Sequence, residues 1–147
     1  MKTDVIEMLT SKDDKYSYSF SKKIVFESQE TNKWYDCFDE FTTLLNHPKS
    51  LVRNRALIIL ASLAKWDNKN KFDNVIEDYL SLITDEKPIT SRQCIKALVK
   101  IGQTKPCYIS KIITALTSAD LSKYKDSMRP LIEKDISETL DKLTKMK

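Results

Sequence analysis

The sequence predicts an all-α chain built from about four helix pairs. Three observations carry that prediction: one glycine in 147 residues, apolar residues spaced by three and four, and a pattern that returns after 38 residues. Average usage would supply roughly ten glycines in a chain of this length. Hairpin turns and phosphate loops draw on glycine for positive φ. A single Gly102 supplies neither a P-loop nor a dinucleotide fingerprint nor a series of tight hairpins, so all-β and nucleotide-binding α/β folds are excluded.

Taken in order, residues 1–30 form the first unit. Tyr16, Tyr18 and Phe20 alternate with polar residues, which is a strand period, whereas Tyr16, Phe20 and Ile24 are spaced by four, which is a helix period. The register of the repeat selects helix for residues 16–21. In the second unit, 31–66, the residues Trp34, Cys37, Phe38, Phe41, Leu44 and Leu45 mark a first helix, and the turn Asn46–Ser50 ends it. Ser50 is the expected N-cap of the next helix, 51–66. That helix is apolar on nearly every side, from Leu51 and Val52 to Ala64 and Trp66, and is expected at the centre of the core.

The third unit, 70–103, pairs helices 70–84 and 88–101. Pro88 stands where a helix start tolerates its missing amide, and Gly102 is expected at the left-handed position just past the helix end. The fourth, 106–145, pairs a helix 106–117 with a last helix 127–144. Ser127 is its expected N-cap, and Ile132, Ile136, Leu140 and Leu143 form its one apolar stripe. The repetition is direct. At a shift of 38, Leu82-Ile83 replaces Leu44-Leu45, Ile89 replaces Leu51, Cys94 replaces Ala56, and Leu98 replaces Leu60. At a shift of 36 in the other direction, Met8-Leu9 lands on Leu44-Leu45 and Ile24 on Leu60.

These residues resemble a HEAT repeat, of the armadillo-like helical-repeat family. His47-Pro48-x-x-x-Val52-Arg53-x-x-Ala56, followed by Leu60 and Leu63, matches the family's turn proline, Val-Arg pair and small residue. His47 replaces the family's turn aspartate. In the next unit Asp85 holds that position, while Ser91 replaces the arginine and Arg92 follows it. The likeness covers about residues 31–103 and is weaker on either side. It implies a right-handed α-α superhelix of about four HEAT-like pairs, forming one domain over 1–147. It also implies that the second helices line a concave face that binds another protein and in some members nucleic acid.

Charge and cysteine content narrow the functions. The net charge is +4, with 12 basic and 11 acidic side chains in residues 1–73 and 13 and 10 in 74–147. Neither half is a basic tail. Cys37, Cys94 and Cys107 are odd in number and lack C-x-x-C spacing, so they read as buried thiols rather than a disulfide or zinc framework. With one histidine, His47, no catalytic constellation emerges and neither a cofactor nor a metal is expected. No apolar run approaches the roughly 18 residues that span a bilayer. Residues 1–10 lack a signal-peptide core, so a cytoplasmic location without a membrane partner is expected.

Candidate binding residues are the cations of the second helices: Lys22, Lys23, Arg53, Arg55, Arg92, Lys96 and Lys100. Arg92, Lys96 and Lys100 are spaced by four and share a stripe. On the concave face such a stripe would meet phosphates or an acidic peptide; on an ordinary face it would meet water. Arg53 is expected to pair with a carbonyl or carboxylate of a neighbouring unit. Trp34-Tyr35 and Trp66 are expected in packing rather than in base stacking. The favoured function is a non-catalytic interaction or scaffold module for a protein partner. The alternative is a nucleic-acid-binding protein whose fold resembles the helical-repeat DNA glycosylases of alkylation repair.

Overall fold

The structure is a computed structural model that describes residues 2–146 of the chain. All regular structure among them is helical, with eight α-helices and six short 3-10 segments. Two compact units are present, Met1–Asp73 and Asn74–Lys147.

In the first unit α1 (Lys2–Leu9) packs on α2 (Asp14–Glu27), α3 (Phe38–Thr43) packs on α4 (Ser50–Leu63), and α2 lies along α4. In the second, α5 (Ile76–Ser81) continues as a 3-10 turn, Leu82–Thr84, that packs on α6 (Pro88–Thr104). There α7 (Ile109–Thr117) packs on α8 (Arg129–Thr144), which lies along α6. Each unit therefore holds two helix pairs.

The 38-residue period reappears in the backbone. A 3-10 turn at Lys33–Cys37, the helix Phe38–Thr43 and a 3-10 turn at Leu44–Asn46 are matched by Lys71–Asn74, Ile76–Ser81 and Leu82–Thr84. The first helices expected over 31–46 and 70–84 are thus α-helical only in their middle thirds. Trp34–Cys37, Phe38–Phe41 and Phe41–Leu44 are each three apart, a spacing that 3-10 geometry also satisfies.

Each of the turns between paired helices is closed in the same way. A side chain accepts a hydrogen bond from the backbone N–H two residues on: Ser11 Oγ from Asp13, His47 Nδ1 from Lys49, Asp85 Oδ2 from Lys87 and Asp120 Oδ1 from Ser122, all at 2.9–3.1 Å. A side chain at or near the start of the second helix then donates to a carbonyl at the turn. Ser17 reaches Met8 at 2.6 Å, Arg53 reaches His47 at 2.8 Å and Pro48 at 3.1 Å, Ser91 reaches Ile83 at 2.5 Å, and Arg129 reaches Tyr124 at 2.7 Å. His47 thus performs in its turn the task that Asp85 performs in the next. Arg53 ties its own turn.

Residues 16–21 are helical, inside α2, with Asp13 capping the start by accepting from the Tyr16 amide at 3.1 Å. The face that α2 buries is Ser17, Ser21 and Ile24, with Phe20 half-buried, while Tyr16 points outward. Small serines let α2 approach its neighbours closely. Helix α4 is buried on nearly every side, as its composition predicts, and even Arg53 and Arg55 are buried in it. The first unit's core centres on Phe38, whose ring meets Tyr35 at 5.6 Å and Phe72 edge-on at 5.3 Å. The second unit buries Tyr79, Ile95, Leu98, Ile101, Ile112, Ile132 and Leu143.

Three expected termini differ. Ser50 lies inside α4, and Lys49 occupies the cap position without a side-chain bond. Helix α8 starts after Met128 with Pro130 in its first turn, so Ser127 is not its cap. Gly102 does not end a helix: α6 runs on to Thr104, and no glycine has positive φ. A Cβ on Gly102 would stand 2.6 Å from Leu143 Cδ2, so glycine there accommodates the close approach of α8 to α6 without a shift of the Leu143 side chain. The left-handed position belongs to Asn70, at φ 55°, a residue type that tolerates it.

Candidate interaction surface

The turns fix where each second helix begins, and those helices carry the exposed apolar side chains. Tyr16, Tyr18 and Phe26 on α2, Leu51 on α4, Ile89 on α6 and Leu131 on α8 are the large apolar residues that face solvent. Among the described residues none lies on α1, α3, α5 or α7. Tyr16, Leu51, Ile89 and Leu131 each sit in the first turn of their helix, and Phe26 is 72% exposed. Single exposed apolar residues are ordinary on a surface. All six lie on the longer helix of each pair, so those helices carry the exposed apolar surface.

The predicted cations take three different roles. Arg53 and Arg55 are buried, at 6% and 5% exposure. Arg53 serves its turn, and Arg55 donates to the Leu9 carbonyl at 2.9 Å and to Asp14 Oδ1 at 3.2 Å. Arg92 is half-buried and donates through Nε to the buried Asp135 of α8 at 2.6 Å. The Lys96 ammonium lies 4.0 Å from the same carboxylate, and Lys100 is half-buried. The stripe of Arg92, Lys96 and Lys100 exists, but its first two members are turned on Asp135. Lys22 and Lys23 are exposed on α2, with the Lys22 ammonium 5.5 Å from the centre of the Tyr18 ring.

The local charges follow these contacts. Hydrogen bonds from Lys49 and Arg55 hold the Asp14 carboxyl below its usual range. The indole of Trp34, with Lys33, does the same for Glu27. The hydrogen bond to Asp135 strengthens the hold of Arg92 on its proton. Burial pushes the Cys94, Cys37 and Tyr79 groups up, away from any reactive ionised form. Cys37 and Cys94 are buried as expected, whereas Cys107 is exposed.

The tryptophans are used in packing. Trp34 Nε1 donates to Glu27 at 2.9 Å and Trp66 Nε1 to the Ser28 carbonyl at 2.6 Å. The Tyr35 hydroxyl donates to the buried Asp67 at 2.5 Å. Asp67 also accepts from the amides of Lys71 and Phe72, which joins the 3-10 turns at Lys33–Cys37 and Lys71–Asn74.

One concavity has no counterpart in the sequence-based expectations. It is an open cleft of about 870 Å³ within the second unit, lined by Leu80, Ile83, Ser110, Thr114, Ala115 and Lys123 among others. Lys111 and Glu77 pair across it at 2.7 Å, and Lys123 donates to the Thr84 carbonyl at 2.6 Å. Ser110, Thr114 and Ser118, spaced by four on and just after α7, were its available signal in the sequence. Among the described residues no group of histidines, cysteines and carboxylates is placed to hold a metal, and no helix is long and apolar enough to cross a membrane.

Compared with protein-family models, with curated proteins and with solved structures, the chain matches none of them.

Proposed function

We propose that the chain is a non-catalytic protein-interaction module that takes its partner on the second helices of its helix pairs. The carrying observation is that every exposed large apolar side chain among the described residues lies on α2, α4, α6 or α8. Apolar anchors held on rigid helices are what a protein partner buries. In this reading the four helix pairs form a HEAT-like right-handed superhelix that acts as a scaffold in the cytoplasm. The repeated turn closure and the 38-residue period of the backbone support that arrangement.

The nucleic-acid alternative draws less support. It relies on cations at a groove, and Arg53, Arg55 and Arg92 spend their donors on the chain's own carbonyls and carboxylates. The test is partner capture from the native host with Ile89→Glu and Leu131→Glu on the second helices, against Thr114→Glu on α7. Loss of the same partner by the first two and its retention by the third is the expected result. Retention by all three, with unchanged circular dichroism, would refute the assignment of the face.

A further inference from the structure

The outward face of α2 has a composition of its own. From Lys15 to Phe26 its exposed side chains include Lys15, Lys22 and Lys23 and the rings of Tyr16, Tyr18 and Phe26, and no carboxylate. The two acidic groups at the ends of the helix are already engaged. Asp14 is held by Lys49 and Arg55, and Glu27 by Trp34 and Lys33. Among the described residues neither Lys15, Lys22 nor Lys23 makes an ion pair within 4.0 Å. The face is therefore unbalanced in charge and open in apolar area at the same place.

We propose that this face docks an acidic amphipathic helix of a partner protein. The proposal rests on the second helices being the binding side; it names which of them engages and with what chemistry. Charge complementarity requires carboxylates opposite the three lysines. The exposed rings require apolar side chains between those carboxylates, with Phe26 as the anchor. Fourteen residues make α2 long enough, at about 21 Å, to receive a partner helix of four turns.

Two other anionic partners fit less well. An interfacial membrane helix segregates its apolar side chains into one face that sinks among the acyl chains. On α2 the lysines and rings interleave: Lys22 stands between Tyr18 and Phe26 in a stripe of step four. Single-stranded nucleic acid stacks its bases on bare aromatic faces. The Tyr18 ring already has the Lys22 ammonium over one face, at 5.5 Å. A protein helix that alternates Glu with Leu or Phe meets the interleaved pattern directly.

The experiment titrates the full chain, labelled with nitrogen-15, with four probes. They are a helical peptide of about 18 residues carrying Leu and Phe on one side and Glu around them, the same peptide with each Glu replaced by Gln, oligothymidine, and vesicles containing phosphatidylserine. The Glu peptide is expected to shift amide resonances along α2 and to bind about tenfold tighter than the Gln peptide at low salt, with the advantage shrinking as salt rises. Phe26→Ala and Lys22→Glu are each expected to weaken it about tenfold. Both side chains are exposed, so unchanged circular dichroism separates lost docking from lost fold. Equal binding of the two peptides, or capture of α2 by oligothymidine or vesicles but not by the Glu peptide, overturns the proposal. Shifts confined to α6 and α8 overturn the choice of α2 and leave the second helices as the binding side. Absence of any shift by the Glu peptide overturns the docking chemistry, and the partner-capture comparison then stands as the separate test of that side.

Discussion

Gly102→Ala separates two explanations of the only glycine in the chain. In the structure Gly102 lies inside α6, and an added Cβ would meet Leu143 Cδ2 at 2.6 Å and Ile109 Cγ1 at 3.5 Å. Carbon atoms prefer about 3.5–4.0 Å, so the first contact is short by about 1 Å. Leu143 is fully buried and cannot swing into solvent. Overpacking of this kind costs about 1–3 kcal/mol. Against it stands the gain of about 1 kcal/mol for Ala over Gly in a helix interior. The net expectation is a loss of about 1 kcal/mol. Leu143→Ala alone removes buried volume and costs about 2–5 kcal/mol. In that background the clash is gone, and Gly102→Ala becomes stabilising by about 1 kcal/mol or more. The coupling between the two sites is thus about 1–3 kcal/mol. Urea denaturation of the four proteins measures it. Far-UV circular dichroism is the appropriate signal, because Trp34 and Trp66 both belong to the first unit. A glycine needed for positive φ would cost the same in both backgrounds. Agreement between backgrounds within about 0.5 kcal/mol would refute the close-approach explanation.

Three further outcomes follow from the same geometry. A disulfide reagent added to the native protein should modify Cys107 quickly and Cys37 and Cys94 only on unfolding, since burial raises both buried thiols; rapid loss of all three thiols would contradict the burial. Asp67→Asn places an amide against the Tyr35 hydroxyl and the Lys71 and Phe72 amides, and should cost the first unit about 2–3 kcal/mol by tryptophan fluorescence, whereas Tyr35→Phe should cost about 1 kcal/mol. Asp14 and Glu27 have folded-state pKa values below their ordinary 3.8 and 4.5, so the unfolded chain binds protons first as pH falls. Their contribution is complete above about pH 5 and is lost through and below pH 4. Asp14→Asn should flatten the acid limb of the stability profile, and an unchanged limb would exclude Asp14 from it.

The repeat was legible because its apolar positions recur one for one. Leu44 and Leu82 end equivalent first helices, and Ala56 and Cys94 occupy equivalent buried places in α4 and α6. The inward face of α2 was not legible. Periodicity weighs hydrophobicity, whereas close packing there selects for size, and Ser17 and Ser21 are small. Gly102 was misplaced for the same reason: a glycine near a helix end carries no mark that tells positive φ from close approach. Arg55 stood among the candidate binding cations because the Leu9 carbonyl that receives it comes from a distant segment, whereas the pairing expected of Arg53 includes the carbonyls of its own turn, His47 and Pro48. The candidate surface was hidden in the apolar pattern itself. Leu51 and Ile89 continue the core period of their helices, and only the position of the turn shows that they emerge from it.

That position connects the turns to the surface. Ser11, His47, Asp85 and Asp120 share no chemistry beyond an acceptor atom, yet each receives the N–H two residues on. Ser17, Arg53, Ser91 and Arg129 differ as much, and each donates to a carbonyl of the same turn region. What repeats is a doubly tied turn rather than a residue type. A turn tied at both ends has little freedom left to lose. The first-turn side chains that follow, Leu51 four residues after His47 and Ile89 four after Asp85, are then presented in a fixed direction. Binding through side chains already fixed avoids much of the ordering entropy that flexible contacts give up, about 0.5–1.5 kcal/mol for each immobilised side chain. The same hydrogen bonds that close these helix pairs therefore fix the first-turn side chains of α4 and α6 in advance of any partner on the proposed face.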